Sequence, residues 1–195
     1  EPCAPAPAAP RRGGFPAQMV GTGPTAPVGA AAQLFCRLIY EARRELVLTT
    51  PYFVPDESVR LALCTAAPTG AAVTLVLPRR NDSRTVAFAS RSHYPRLLAA
   101  GIRIFEFEGG LLHAKTLTVD GETTFMGSSN LDIRSFDLNF ENDILFRDAG
   151  LTRAVRRRQG DYLARSREVT AQEVGDWPLW RRIANNTVAT VSPIL

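Results

Sequence analysis

The sequence has few of the residues that build disulfide frameworks and metal centres. Its three cysteines, Cys3, Cys36 and Cys64, include no Cys-x-x-Cys pair, and the last two lie in apolar helical patterns. We interpret them as small buried hydrophobic residues, because neither the odd number nor the spacing fits paired disulfides or a zinc site. Of the two histidines, His113 has no second His, Cys or carboxylate at ligand spacing. We therefore expect no metal ion and no cofactor.

Long apolar runs are also missing. No stretch approaches the roughly 18 residues that cross a bilayer, and no charged segment followed by an apolar core opens the chain. We expect the chain as given to be soluble or peripheral to a membrane. It starts with Glu, not Met, which favours a fragment or a processed piece.

Charge is mildly unbalanced toward the basic side. The net charge is +4 and the pI about 9.3, which favours an anionic partner without separating a phospholipid headgroup from nucleic acid. Many of the basic residues fall between Arg153 and Arg167, where we expect a solvated helix face.

The chain divides into a linker and one folded region. Residues 1–18 are rich in Pro, Ala and Gly, and we interpret them as a linker or as disordered. Residues 19–195 carry the folding signals, with Asp56 as a helix N-cap. The predicted helices are 28–44, 57–66 and 82–100, and the predicted strands are 45–50, 71–77, 102–107, 115–119, 123–126 and 138–146. This order predicts an α/β fold with a mixed, mostly parallel sheet and helices on both faces.

The stretch from Leu111 to Asn130 (LLHAKTLTVDGETTFMGSSN) concentrates polar side chains on one predicted hairpin. His113 and Lys115 share a face if their strand extends back to His113. Asp120-Gly121 predicts the turn, and the return strand brings Ser128 and Asn130 back beside the start. Two polar pairs therefore converge where two strand ends meet.

These residue types suit chemistry at a phosphoryl centre. Imidazole can attack phosphorus or protonate a leaving oxygen near neutral pH. Lys115, Ser128 and Asn130 can hold the non-bridging oxygens. A nucleophilic imidazole needs a partner for its other nitrogen, and Glu141, in an otherwise apolar strand, is the first candidate, with Asp143 the second.

Plainer roles stay open for each residue. His113 could be a core histidine, Lys115 an edge residue facing water, and Asp120 a turn residue only. Ser128 and Asn130 could simply build a turn with Gly127. Four apolar residues, Phe53, Leu111, Leu112 and Phe136, could line an acyl or headgroup path or belong to the core.

His113-Ala-Lys115-Thr-Leu-Thr-Val-Asp120, followed by Gly127-Ser-Ser-Asn130, resembles the HKD motif of the phospholipase D superfamily. The surrounding sequence, from about Met19 to Leu195, is similar to the C-terminal catalytic half of bacterial cardiolipin synthases. The segments that carry this resemblance are TTPYFVPDES, LLAAGIRIFEFEGGLLHAKTLTVDG, GSSNLDIRSFDLNFEND and VSPIL.

The resemblance implies phosphatidyl transfer between two phosphatidylglycerol molecules through a phosphohistidine. It assigns His113, Lys115 and Asp120 to the motif, Ser128 and Asn130 to the phosphate, and Glu141 to the histidine; His93 remains structural. It also implies a peripheral place on the bacterial inner membrane.

One departure from the family pattern matters. The family carries two HKD motifs and this chain has one, so we expect either a missing N-terminal half or a homodimer mate. The alternatives are a phospholipase D or nuclease using water as acceptor, and a non-catalytic lobe that docks anionic lipid. A nucleic-acid partner is disfavoured, because the ten Phe lie mostly in apolar strands.

Overall fold

A computed structural model describes residues 14–191, with side chains described up to residue 189. Ten strands and eight helices alternate in this part of the chain. In chain order they are β1 (Ala17–Thr22), α1 (Ala30–Glu41), β2 (Glu45–Thr49), β3 (Phe53–Val54), α2 (Glu57–Ala66), β4 (Ala72–Pro78), α3 (Arg84–Ser92), α4 (Tyr94–Ala99), β5 (Arg103–Phe107), β6 (Thr116–Val119), β7 (Thr123–Gly127), β8 (Leu131–Asp132), α5 (Ile133–Asp137), β9 (Glu141–Arg147), α6 (Ala149–Leu163), β10 (Ser166–Val169), α7 (Ala171–Gly175) and α8 (Leu179–Val191).

Eight of these strands form one sheet in the order β1-β9-β7-β6-β2-β4-β5-β10, while β3 and β8 pair separately. The predicted mixed α/β sheet is confirmed, and five of its eight described strands run in one direction. Within the eight-stranded sheet, parallel pairing is confined to β2, β4 and β5, because helical crossovers, which parallel neighbours require, connect these three; the separate β3–β8 pair is also parallel. The β6–β7 hairpin and β9 add antiparallel strands on one side.

Helices cover both faces of the sheet, as predicted. On one face, α1 and α2 pack apolar side chains such as Phe35 and Leu63 against Leu48 and Leu117 of the strands. On the other face, α6 buries Gln159, whose Nε2 donates to the Val47 carbonyl (3.1 Å). The same side chain joins α6 to β6: Nε2 donates to Thr116 Oγ1 (2.9 Å) and Oε1 accepts from Thr118 Oγ1 (2.8 Å). The strand that follows His113 is therefore held from both sides.

Two predicted boundaries are wrong. The helix predicted over 82–100 is two helices that meet at His93, because Pro95, in the first turn of α4, has no N–H to donate to the Arg91 carbonyl and so cannot continue α3. The first strand begins at Ala17, inside the predicted linker, and pairs with β9. Residues 1–13 of that linker lie outside the described residues. The Asp56 N-cap is confirmed, since its carboxylate accepts from Val59 N (2.9 Å).

The cysteine and arginine predictions have mixed outcomes. Cys36 and Cys64 are free and pack against the main core, but both are half-buried, not fully buried; Cys3 lies outside the described residues. On α6, Arg153 and Arg157 are exposed, as predicted for a solvated face. Among the described residues, no helix is long and apolar enough to span a bilayer.

Candidate active site

All the predicted site residues except Asp120 gather at one edge of the sheet, where the parallel strands β2, β4 and β5 end. Thr116, the first residue of β6, pairs with Thr49, the last of β2. Gly127, the last residue of β7, pairs with Asp143 near the start of β9. This edge is the usual ligand site of open α/β sheets, because chain reversals there leave a crevice beyond the strand ends.

His113 and Lys115 lie immediately before β6, so the predicted extension of the strand back to His113 is wrong. Their side chains nevertheless meet: Lys115 Nζ is 3.1 Å from His113 Nδ1. His113 is exposed, which is incompatible with a core histidine. The Tyr52 ring stands edge-on to the imidazole, with ring centroids 6.3 Å apart. Because an ammonium can only donate, His113 Nδ1 is the acceptor here, and the proton of the neutral ring lies on Nε2.

Lys115 is half-buried and is not a solvent-facing edge residue. Burial lowers its pKa, and three carboxylates, Glu141, Asp132 and Asp143, oppose that shift. Its Nζ also donates to the His113 carbonyl (3.2 Å). The ammonium is therefore held beside the imidazole and within the field of acidic groups from the neighbouring strands.

The two candidate carboxylates differ in environment. Asp143 is buried and accepts hydrogen bonds from Ser129 N (3.1 Å) and from Ser129 Oγ, while burial raises its pKa. Glu141 is half-buried and accepts from Asn139 Nδ2 (3.3 Å). In the described part of the chain, neither carboxylate is hydrogen-bonded to His113. Glu141 as the histidine partner stays a prediction. Nothing in the sequence pattern singles out Ser129 as the partner of Asp143.

Ser128 and Asn130 are positioned by neighbouring elements. Ser128 Oγ accepts from Asn142 N (2.9 Å), and Ser128 N donates to the Asn142 carbonyl (3.2 Å). Asn130 is buried, and its backbone N and its Nδ2 each donate to Ser135 Oγ (3.1 Å). Its Oδ1 is buried without a hydrogen-bond partner among the described residues. Half a turn of this amide would pair Oδ1 with the Ser135 hydroxyl and free Nδ2 as a donor for a phosphate oxygen.

Gly127 is required by the close approach of β7 to β9. A Cβ added there would lie 2.3 Å from Asp143 Oδ1 and 2.4 Å from the Asn142 carbonyl. Only glycine lets the two strands pair at this distance. The glycine before Ser128 therefore has a packing reason, since it brings the serines against the acidic strand.

Asp120 lies at the opposite end of β6, five residues or about 17 Å along the chain from Lys115. Its carboxylate accepts from the backbone N of Arg43 (2.9 Å), Arg44 (2.8 Å) and Glu45 (2.8 Å). These bonds lower its pKa although burial opposes them. Its φ of 54° places it in the left-handed turn before Gly121. The contacts support the turn interpretation of Asp120 over a role at the site.

A cleft of about 320 Å³ opens beside His113 and Lys115, toward α6. Its other lining residues include Met126, Arg158 and Tyr162, and the Arg158 guanidinium lies over the Tyr162 ring (5.2 Å). From the sequence, the segment that contains Arg158 and Tyr162 is predicted only to form a solvated helix face. The described residues contain no group of three or more His, Cys, Asp or Glu side chains that could hold a metal ion.

The apolar path residues are mostly core. Phe53, Leu112 and Phe136 are buried, which supports the core alternative for these three. Leu111 is exposed and stands two residues before His113. Of the four candidates, only Leu111 is placed to contact a ligand at the site.

The fold and this edge define an α/β domain of the phospholipase D type. Nuc from Salmonella typhimurium, a phospholipase D family member, has a TM-score of 0.68 at 20% identity, covering 80% of this chain and 98% of its own. Phosphatidylserine synthase from Haemophilus influenzae has a TM-score of 0.73 at 16% identity, covering 92% of this chain and 48% of its own. Similarity at these identities concerns the fold.

Residues 35–159 match the family model described as "Cardiolipin synthase, PLD-like domain", and the chain belongs to that family. Cardiolipin synthase A from Klebsiella pneumoniae is 44% identical over 176 residues. Cardiolipin synthase A from Escherichia coli is likewise 44% identical over 176 residues. These matches cover 90% of this chain, which spans 36% of the length of each relative.

Proposed function

We propose that this chain supplies the phosphohistidine half of a phosphatidyl transferase that makes cardiolipin from two phosphatidylglycerol molecules. One observation carries the proposal. An exposed imidazole stands 3.1 Å from an ammonium at the ligand edge of the sheet, in a chain of the cardiolipin synthase family. The chemistry required at phosphorus is a nucleophile with a cation beside it.

In the first step, His113 Nε2 attacks phosphorus, an N–P bond forms, the P–O bond to glycerol breaks, and the leaving oxygen takes a proton from a general acid. In the second step, the hydroxyl of another phosphatidylglycerol attacks phosphorus, loses its proton to the same group and releases the histidine. Attack through Nε2 requires the ring proton on Nδ1, where Lys115 now donates. An incoming phosphate therefore has to draw Lys115 toward its oxygens, so that the ring loses its Nε2 proton to solvent, takes one up on Nδ1 and donates it to Glu141. Ser128 and Asn130 hold the remaining oxygens.

The general acid and base has to come from outside this chain. His93 is half-buried at the junction of α3 and α4, with its ring edge-on to Phe53 (5.9 Å), and it lines a different cleft from His113. A second HKD half supplies the other histidine, from an N-terminal half or from a homodimer mate. The share of each relative that the chain spans, 36%, favours the N-terminal half. On this basis the region from β1 (Ala17–Thr22) onward is one catalytic half-domain and the segment before it a linker, working at the surface of the bacterial inner membrane.

The test is a chimera in which this chain replaces the matched stretch of the Escherichia coli relative. We expect labelled phosphatidylglycerol to give cardiolipin and glycerol by mass spectrometry, and His113→Asn to abolish the products, while His93→Asn, checked for folding by circular dichroism, retains them. Phosphatidic acid as the product would establish hydrolysis. Cardiolipin formation unaffected by His113→Asn would leave this chain as a lipid-docking lobe and refute the proposal. Turnover by the 195-residue chain alone would establish the homodimer.

A further inference from the structure

A second, larger cleft lies at the same sheet edge as His113, beyond the ends of β4 and β5. Its volume is about 710 Å³. Arg79 and Arg80, which follow β4, form one wall, and Gly110, three residues before His113, lies at its rim. No part of the chemistry proposed for His113 uses this cleft.

Five arginines line the cleft against three glutamates. The arginines are Arg79, Arg80, Arg91, Arg167 and Arg181, and the glutamates are Glu106, Glu108 and Glu173. Ion pairs with these glutamates neutralise only part of the positive charge of the arginines. Guanidinium groups crowded at one concave surface repel one another, so an excess of two positive charges favours an anion there.

The carboxylates are already engaged. Buried Glu106 lies 3.5 Å from Arg91 Nε and 3.2 Å from Arg167 Nη2. Glu173 accepts from Arg167 Nη2 (3.0 Å), and Glu108 pairs with Arg79. These carboxylates hold three of the arginines, Arg79, Arg91 and Arg167, in place in the wall of the cleft.

Arg80 and Arg181 form no ion pair with a carboxylate within the described part of the chain. Arg181 is half-buried and stacks on the Trp177 ring at 4.2 Å. Burial, followed by repulsion from Arg91, lowers the pKa of Arg181. The cost of holding this cation near another is relieved by an anion bound between them.

We propose that this arginine cleft is a second anion site that binds the phosphodiester of an anionic phospholipid through Arg80 and Arg181. A guanidinium presents a planar pair of N–H donors that matches two phosphate oxygens. The choice of a lipid phosphate rests on the proposed function, whereas the anion site itself rests on the arginines alone. A single-stranded nucleic acid would need a groove with several aromatic faces, but the cleft is lined by a single aromatic residue, Phe107.

The experiment follows the Trp177 indole N–H resonance by NMR while the 195-residue chain is titrated with soluble dihexanoyl phosphatidylglycerol. Arg80→Gln and the double variant Arg80→Gln/Arg181→Gln remove cleft charge. Arg153→Gln/Arg157→Gln removes the same charge from the exposed face of α6 as a matched control. His113→Asn separates this site from the proposed catalytic one, and circular dichroism checks that every variant is folded.

We expect saturable binding that the double cleft variant weakens by about 10-fold or more, since each lost contact is a charge-assisted hydrogen bond. The α6 control and His113→Asn should bind within about twofold of the unmodified chain. Unchanged affinity in the folded cleft variants would overturn the proposal. Inorganic phosphate binding as tightly as the lipid would overturn the lipid assignment. Loss of catalysis in the His113→Asn chimera with retained Trp177 shifts would keep the two proposals distinct.

Discussion

Asp120 is expected to control stability and not the chemical step, although it belongs to the motif that contains His113. Its Oδ1 accepts from Arg44 N and Glu45 N and its Oδ2 accepts from Arg43 N. Because these bonds are partly exposed, we take about 1 kcal/mol for each, below the roughly 1.5–3 kcal/mol typical of hydrogen bonds to charged groups. Asp120→Ala therefore should lower the free energy of unfolding by about 3 kcal/mol. Asp120→Asn keeps the two bonds to Oδ1 but sets an amide donor against Arg43 N–H, and should cost about 2 kcal/mol.

The assay pairs urea unfolding of the 195-residue chain with turnover by the chimera, corrected for the folded fraction. Glu122→Gln is the matched control, because it removes the same charge in the same turn from an exposed pair with Arg44 (2.9 Å) and should cost less than about 0.5 kcal/mol. Asp120→Asn should retain turnover per folded molecule within about threefold, or about 0.6 kcal/mol of barrier. A stable Asp120→Asn protein whose turnover falls by orders of magnitude would show that Asp120 acts in the chemical step. It would refute the purely structural role argued from its backbone hydrogen bonds.

Three further predictions concern other residues. Burial lowers the pKa of His93 from 6.5 to about 4, so between these pH values the unfolded chain binds more protons than the folded one. The free energy of unfolding should therefore fall by up to about 3 kcal/mol as the pH drops from about 6.5 to 4. Urea unfolding should show a smaller fall over this pH range in His93→Asn. Burial lowers the pKa of Lys115 from its ordinary value of 10.5, so its ammonium is lost at a lower pH than that of a free lysine. Chimera turnover should therefore start to fall before the rising pH reaches 10.5, and Lys115→Arg should shift this fall to higher pH. Gly127→Ala should destabilise the chain by about 1–3 kcal/mol through overpacking against Asp143, whereas Gly175→Ala, with nothing within 4 Å of the added Cβ, should be neutral in thermal unfolding.

The central elements were predictable because their patterns are local. The buried run of β4 and the Asp-Gly turn between β6 and β7 each carry a periodicity or turn chemistry that needs no distant contact. The division of one predicted helix at His93 was within reach as well, since Pro95 marks it. The pairing of β1 with β9 was not, because that strand is exposed along most of its length and lies beside a Pro-rich tract.

Within the site, the sequence predicted which residues would meet but not how. Alternation along a strand placed Lys115 beside His113, and the side chains do meet, although both residues precede the strand. The contact between Ser129 and Asp143 joins residues 14 positions apart, one in the loop after β7 and one on β9, and depends on Gly127 allowing β7 to approach β9. The arginine cleft draws on β5, α3, β10, α7, α8 and the loops after β4 and β5, so no window of sequence contains it.

The spacing of the motif has a structural reason that its chemistry alone does not supply. Four residues of β6 separate Lys115 from Asp120, and that strand is clamped between β2 and β7 while Gln159 holds it from α6. At one end the chain leaves the sheet with an imidazole and an ammonium exposed to ligand. At the other end Asp120 ties the hairpin turn to the three backbone N–H groups that begin β2. Adding or removing one residue of β6 would shift its register, and Leu117 and Thr118 would each turn to the face of the sheet that the other now occupies. The four-residue spacing between Lys115 and Asp120 is thus explained by a strand that positions the reactive residues at one end and is anchored by Asp120 at the other.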